Sequence, residues 1–189
     1  MGRAKSCRGP AAAALPARRE HHPAQRHAPD GGVMGEGFVL GPVRALDLDR
    51  TSHLHREAFE PMGERGWSRA DIAGLLASPG VAGFLLTEAG ADIGMAICRI
   101  VAGEAELLTI AVDPVQRRRG AARRLLGAVV ESVQEEGALT LFLEVGADNP
   151  GALALYRAMG FETVGRRSAY YPRGDRPAAD ALVMRLTLS

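Results

Sequence analysis

The feature that most constrains the fold is a strand–helix–strand–helix succession in the second half of the chain. Glu104 to Val112 ends in apolar residues and is a predicted strand. Arg118 to Glu135 has apolar residues at helical spacing and a glycine after its end, which predicts an amphipathic helix. Leu139 to Val145 is nearly all apolar, as expected of a central strand buried on both faces. Asn149-Pro150 then opens a second helix, which Gly160 closes.

The remaining segments add strands and helices on both sides of this unit. Further strands are predicted at Phe38 to Val43, Val81 to Thr87, Ile93 to Val101, Phe161 to Tyr171 and Ala181 to Leu188. Further helices are predicted at Leu46 to Phe59 and Arg69 to Leu76, and a polar loop at Pro172 to Asp180. This order predicts an α/β (α+β) protein with a mixed sheet flanked by helices, without the regular alternation of a doubly wound fold.

Composition argues against several classes of function, among them nucleic-acid binding and membrane insertion. A chain of 189 residues suffices for one domain with a full core. The net charge of +1 gives no reason to expect nucleic acid or a membrane as a partner, and no apolar run approaches a membrane span. The two cysteines, Cys7 and Cys98, are too few for a disulfide framework or a cysteine zinc site. They predict unpaired thiols in a reducing cytosol, hence a cytoplasmic protein.

Residues 1–35 differ from the rest of the chain. They contain six basic and two acidic side chains, whereas the remainder contains 17 basic and 20 acidic ones. Their Ala/Arg/Pro/His/Gly mixture lacks apolar periodicity, which predicts a disordered basic tail before one folded domain at residues 36–189. Three alternatives remain open for this segment: an organelle targeting peptide, a myristoylated N-terminus, and a mis-assigned start with Met34 as the true one.

A basic helix start containing glycine follows the strand that ends at Val112. The first N–H groups of a helix lack internal partners and the helix dipole is positive there, so such an end binds phosphate oxygens. The residues that supply close backbone approach or charge are Arg118, Arg119, Gly120, Ala121, Ala122 and Arg123. A solvated basic helix start and a nucleic-acid or nuclear-localisation patch are the alternatives.

A lone carboxylate, Glu144, ends the apolar strand, and Tyr156 follows on the next helix. A partly desolvated carboxylate has its pKa raised toward the range useful to a general base, and a phenol can donate a proton. The alternative for Glu144 is an ordinary carboxylate facing solvent, and for Tyr156 a core aromatic. For Tyr170 and Tyr171 it is two strand aromatics that pack on opposite faces.

These segments resemble the GNAT acetyltransferase family. Residues 117–122, Arg-Arg-Arg-Gly-Ala-Ala, resemble its Gln/Arg-x-x-Gly-x-Gly/Ala motif, which holds the pyrophosphate of acetyl-CoA. Residues 143–161 resemble the next segment of the family, with Leu-Glu-Val, an Asn that opens a helix, Ala-Leu-Tyr and Gly-Phe. Trp67-Ser68, Tyr-Tyr-Pro at residues 170–172 and Asp180-Ala181 resemble one branch, the ribosomal-protein-alanine N-acetyltransferases, which acetylate N-terminal α-amino groups.

The resemblance implies a mixed, mostly antiparallel seven-stranded sheet with four helices. In it the strands Glu104–Val112 and Leu139–Val145 splay apart to admit acetyl-CoA. Glu144, through water, would deprotonate the acceptor, backbone N–H groups near Val112 would polarise the thioester carbonyl, and Tyr156 would protonate the thiolate. The implied cofactor contacts are Ile110, Ala111, Val112, Arg117, Arg118, Arg119, Gly120, Ala121, Ala122, Arg123 and Asn149.

The implied substrates are acetyl-CoA and the N-terminus of a peptide or protein that begins with Ala or Ser, such as a ribosomal protein, and no metal is required. Two positions depart from the family. Ala122 replaces a frequent second glycine, and Gly146 stands where relatives have a basic residue beside the substrate groove. Two rival functions remain open: acetylation of a small amine, and an idle acyl-CoA-binding regulator. The presence of both Glu144 and Tyr156 argues against the idle regulator.

Overall fold

The computed structural model describes residues 37–189, so the predicted basic tail and its alternatives lie outside the described residues. Within this part the chain forms the seven strands and four α-helices that the sequence predicts. In chain order they are β1 (Phe38–Pro42), α1 (Leu48–Phe59), α2 (Arg69–Leu76), β2 (Val81–Glu88), β3 (Ala91–Val101), β4 (Glu104–Val112), α3 (Ala121–Glu135), β5 (Thr140–Gly146), α4 (Pro150–Ala158), β6 (Glu162–Arg173) and β7 (Arg176–Thr187). None of these helices is long and apolar enough to cross a membrane.

The seven strands form one sheet in the order β1-β2-β3-β4-β5-β7-β6. All neighbouring strands are antiparallel except β4 and β5, which are parallel. The β4–β5 ladder runs only from Glu104↔Thr140 to Leu107↔Leu143. Beyond this point β4 continues to Val112 and β5 to Gly146, but the two strands no longer pair with each other. A wedge-shaped gap therefore opens between them. The expected splay of these two strands is therefore confirmed.

A β-bulge in β4 coincides with the point where the two strands separate. The ladder with β3 shifts between Cys98↔Leu107 and Ile97↔Thr109, which leaves Leu108 as the extra residue. A bulge bends its strand and increases the local twist. The bulge thus directs the second half of β4 away from β5.

Helices cover both faces of the sheet. One face packs against α3 and α4, with Leu125, Val129 and Val133 of α3 fully buried. The other face packs against α1 and α2, where Ile72 is fully buried. In β5 the buried residues Leu141, Leu143 and Val145 point toward α3 and α4, so the alternation of a strand turns Glu144 toward the opposite face.

Three predictions about these elements are wrong in detail. β5 is fully buried on one face only, because Thr140, Phe142 and Glu144 are half-buried. α3 begins at Ala121 rather than Arg118, because Arg118 and Gly120 adopt left-handed conformations that a helix does not allow. Most of the predicted polar loop at 172–180 is strand, and β6 and β7 pair as far as Arg173↔Arg176. That end of the hairpin is largely exposed, so it lacks the apolar alternation that marks a strand in sequence.

Candidate active site

The loop between β4 and α3 presents free backbone N–H groups at a helix N-terminus. Arg118 and Gly120 have φ angles of +67° and +83°, and Gly120 is the N-cap without a capping side chain. The first intrahelical bond runs from the N–H of Arg124 to the carbonyl of Gly120, 3.1 Å. The preceding N–H groups of Ala121 to Arg123 have no intrahelical acceptor, as at any helix start. A β-carbon built on Gly120 would meet nothing within 4 Å, so the space before the helix is open to an anion.

The arginines of this loop have different surroundings. Arg119 pairs with Glu88 of β2 at 2.7 Å between Nη1 and Oε2, and its guanidinium lies 5.5 Å from the centre of the Phe38 ring. Arg117 donates from Nη2 to the carbonyl of Ala58 at 3.4 Å. Arg118 and Arg123 are exposed beside the helix start. The positive charge nearest to the open N–H groups therefore comes from Arg118, Arg123 and the helix dipole.

The gap between β4 and β5 is lined on one side by Ile110, Ala111 and Val112. These residues pair with β3, opposite Ala96, Met95 and Gly94, and lie beyond the last β4–β5 pair. Their edge toward β5 therefore remains free for a ligand that needs backbone donors or acceptors. Ala121 and Ala122 begin α3 just past this edge, and Ala121 is buried.

Glu144 and Tyr156 come from the elements on the other side of the gap. Glu144 lies on β5, opposite Val183 of β7, and its side chain is 22% exposed. Its Oε1 lies 3.0 Å from Nη2 of Arg167 on β6. Tyr156 lies on α4 and is buried, and this burial raises the pKa of its phenol well above the usual value. The phenol is therefore protonated at neutral pH. Asn149 caps α4, since its Oδ1 accepts the N–H of Ala152 at 3.1 Å.

Arg173 is a buried arginine of the site that the sequence did not reveal. Its side chain is 5% exposed. Its Nε and Nη2 donate to the two carboxylate oxygens of Asp148, 2.8 and 2.9 Å, and its Nη1 donates to Oε1 of Glu64, 2.7 Å. Arg173 thus joins the end of β6 to the β5–α4 loop and to the segment between α1 and α2. Burial raises the pKa of Glu64, and the guanidinium opposes that shift.

The ion pair between Arg173 and Asp148 explains why residue 146 is a glycine. A β-carbon at residue 146 would lie 2.6 Å from Oδ1 of Asp148 and 2.9 Å from Nη2 of Arg173. A larger side chain there would have to displace both groups. The departure from the basic residue that the resemblance leads one to expect at this position thus leaves room for the guanidinium of Arg173.

Two tyrosines lie between the arginines of β6. The rings of Tyr170 and Tyr171 contact each other edge to face, with centroids 5.1 Å apart, so they do not pack on opposite faces. The guanidinium of Arg173 lies 5.3 Å from the centre of the Tyr171 ring. Burial raises the pKa of Tyr171 above its usual value, and the negative charges of Glu64 and Glu144 raise it further. Its hydroxyl therefore shares the carboxylate-rich side of the site with Glu144.

Asp180 of β7 supports the part of β6 that holds these tyrosines. The β6–β7 register shifts between Arg167 and Tyr171, and Ala169 in this bulge has a φ of +51°. Oδ1 of Asp180 accepts the N–H of Ala169 at 2.8 Å, and Oδ2 accepts Nε of Arg166 at 2.6 Å. These bonds lower the pKa of Asp180 and hold the bulge in a conformation that a non-glycine residue rarely adopts.

The other groups considered from the sequence lie away from this gap. Cys98 is buried in the core on the α3 face, and burial raises the pKa of its thiol to about 11, which makes it a poor nucleophile. Within residues 37–189 no group of three His, Cys, Asp or Glu side chains could hold a metal ion.

Comparison with known proteins supports the relationship that the motifs suggest. A family model described as Acetyltransferase (GNAT) family matches residues 48–161. The [ribosomal protein bS18]-alanine N-acetyltransferase of Escherichia coli K12 is 42% identical over 152 residues, covering 80% of this chain and 98% of that protein. The N-alpha-acetyltransferase RimI of Mycobacterium tuberculosis is 35% identical, covering 79% of this chain and 92% of that protein.

Solved structures agree with the fold. The crystal structure of the ribosomal-protein-S18-alanine N-acetyltransferase from Escherichia coli matches with a TM-score of 0.73 and 33% identity, covering 80% of this chain and 94% of that one. Arabidopsis thaliana NAA60 in complex with acetyl-CoA matches with a TM-score of 0.70 at 20% identity, covering 80% and 98% of the two chains. At that lower identity the second match supports the fold alone.

Proposed function

This chain belongs to the GNAT acetyltransferase family, and on that premise we propose that it transfers the acetyl group of acetyl-CoA to the N-terminal α-amino group of a protein. The single observation that carries this proposal is the wedge between β4 and β5. Free backbone edges line one side of the wedge, and Glu144 and Tyr156 lie on the other.

We assign acetyl-CoA binding to the helix start and to the edge of β4. The free N–H groups before Arg124 and the open space at Gly120 fit a pyrophosphate. The free edge of Ile110 to Val112 fits the extended amide-bearing arm of the cofactor, because such an arm needs backbone partners.

Glu144 and Tyr156 then divide the proton transfers. Glu144 accepts a proton from the acceptor ammonium, which frees the nitrogen lone pair to attack the thioester carbon. Tyr156 gives its phenol proton to the departing sulfur when the carbon–sulfur bond breaks, and the second proton that the nitrogen loses on forming the amide returns to the phenolate. Burial raises the pKa of Tyr156, so the phenol still carries this proton at neutral pH when the thiolate forms.

The proposed acceptor side carries three carboxylates and two guanidinium groups, so it keeps a net negative charge that suits a cationic amine. Glu144, Glu64 and Asp148 lie around Tyr171 and Arg173 on the side of the sheet opposite α3. The relatives from Escherichia coli and Mycobacterium tuberculosis are named for the acetylation of an alanine and of an α-amine, respectively. We therefore propose an N-terminal Ala or Ser as the acceptor, as on a ribosomal protein.

A peptide panel read by mass spectrometry tests this function. One peptide has a free N-terminal alanine and no lysine, and its matched partner has a blocked N-terminus and one internal lysine. Small polyamines and amino acids form the third arm. We expect acetyl-CoA-dependent turnover of the first peptide in large excess over the other two arms. Preferred turnover of a small amine, or no turnover of any acceptor, would contradict the proposal.

A further inference from the structure

Glu144, the proposed base, already forms an ion pair with an arginine. Nη2 of Arg167 lies 3.0 Å from Oε1 of Glu144, and the arginine side chain is 52% exposed. The same guanidinium lies 5.4 Å from the centre of the Tyr170 ring. An acceptor ammonium that reaches Glu144 must therefore share the carboxylate with Arg167 or replace it.

We propose that Arg167 is a positioning residue that occupies Glu144 until a cationic acceptor displaces it. This inference rests on the proposed function, because it assumes that the acceptor amine binds at Glu144. A guanidinium is always protonated and cannot take up the proton that Glu144 must accept. Arg167 thus covers the carboxylate while the acceptor site is empty.

The exchange favours acceptors that arrive charged. When an ammonium replaces the guanidinium, the carboxylate keeps one cationic partner throughout. A neutral amine that displaced Arg167 would instead leave Glu144 without a counter-charge, in a site where Tyr171 is half-buried and Glu64 is also negative. The acceptor therefore binds as the ammonium and is deprotonated in place.

Arg167 also contacts the ring of Tyr170 in the conformation in which it pairs with Glu144. The ring of Tyr170 attracts a cation at this distance, and Asp180 holds the β6 bulge that carries this ring. The neighbouring Arg166 is held by Asp180 and does not pair with Glu144. The displaced guanidinium can therefore stay near the site without blocking it.

The ion pair is weak enough for a substrate to displace. Pairs as exposed as this one change an equilibrium by up to about fivefold. We therefore expect Arg167→Met to lower KM for an N-terminal alanine peptide by about two- to fivefold, with kcat unchanged. Arg167→Lys should keep the wild-type KM. The matched control is Arg99→Met, which removes an arginine of similar exposure that pairs with Glu106 at 2.8 Å on β3 and β4.

The test repeats Arg167→Met in a Glu144→Gln background. If the two residues compete as proposed, the change in KM disappears in that background. An unchanged or raised KM for Arg167→Met, or an equal change in both backgrounds as expected from net charge alone, overturns the inference. Failure of the proposed function would give a different result. Glu144→Gln would then keep the wild-type kcat, which would mean that Glu144 is not the base. The coupling between the two variants still decides whether Arg167 occupies the carboxylate.

Discussion

The guanidinium of Arg173 lies directly against Gly146: a β-carbon at residue 146 would lie 2.9 Å from Nη2 of the arginine. The guanidinium occupies the space beside this glycine and pairs with two carboxylates from separate segments, Glu64 and Asp148. The wall of the acceptor side therefore depends on a charge that comes from β6.

Arg173→Met should remove this link and leave the two carboxylates without their partner. Because the arginine is buried, we expect the free energy of unfolding to fall by about 2 kcal/mol. KM for the acceptor peptide should rise while acetyl-CoA affinity stays constant, since most of the proposed cofactor residues lie on β4 and at the start of α3. Thermal melts and steady-state kinetics check both parts. A weakened acetyl-CoA affinity would mean that Arg173 supports the whole fold instead.

Gly120→Glu tests the phosphate site. It puts bulk and a negative charge before the free N–H groups, so acetyl-CoA affinity should weaken at least tenfold, about 1.4 kcal/mol. Gly103→Glu is a matched control, because Gly103 has a φ of +84° against +83° for Gly120 and the same open space around it. Calorimetry that shows equal affinities for the two variants would remove the phosphate site from this helix start.

His55 should make the stability of the fold depend on pH. It is buried between the rings of Phe59 and Trp67, with centroids 4.3 and 4.5 Å away, and its Nδ1 accepts the N–H of Trp67. Burial lowers the pKa of His55 to about 4, although the negative charge of Asp71 acts in the opposite direction. The unfolded chain therefore binds the proton more readily. The stability that neutral His55 provides is present above pH 6.5 and is lost as the pH falls toward 4.

We expect His55 alone to account for about 2 kcal/mol of lost stability between pH 7 and pH 5. His55→Asn keeps an acceptor but does not titrate, so urea unfolding should show a smaller loss in this variant. His53→Asn, on the exposed face of the same helix, is the control and should behave like the wild type. The same pH dependence in both variants would show that other groups cause it.

Tyr156→Phe should keep the ring contact with Phe161, whose centroid lies 5.7 Å away, and lose the proton donor. A general acid typically contributes 10²- to 10⁴-fold in rate, so kcat should fall by about that factor while acetyl-CoA affinity stays the same. The loss should persist at high pH, because a more basic solution does not restore the proton. If most of kcat remains while chemistry limits the rate, Tyr156 is a core aromatic. Tyr170, Tyr171 or water must then supply the proton.

Locally encoded features were predicted well from the sequence. β4 runs from Glu104 to Val112 as predicted, and α2 starts at the predicted cap, Ser68, whose Oγ accepts the N–H of Asp71 at 3.2 Å. These features depend on residues only a few positions apart. Turn residues, helix caps and the period of apolar residues therefore reveal them in the sequence. Gly120 does not belong to this class, because the sequence placed it inside the helix, whereas it has a left-handed φ and precedes α3 as the N-cap.

The acceptor side could not be predicted in the same way. Arg173 binds carboxylates at residues 64 and 148, which are far apart in sequence, so no local pattern marks them. The β6 bulge depends on Asp180 and on a left-handed Ala169, a conformation that the sequence gives no reason to expect. Arg167, beside Glu144, looks in sequence like any exposed strand arginine. These contacts arise only when β7 pairs with both β5 and β6 and so brings β6 near the end of β5.

The pH dependence of Glu144→Gln tests the account most directly. The variant keeps the shape of the side chain but cannot accept a proton. Acetyl transfer to an N-terminal alanine peptide should fall about 100-fold near neutral pH. It should recover partly at high pH, as the free amine becomes abundant. Wild-type kcat at neutral pH, or a loss that does not diminish as the pH rises, would contradict the role of Glu144 as the base.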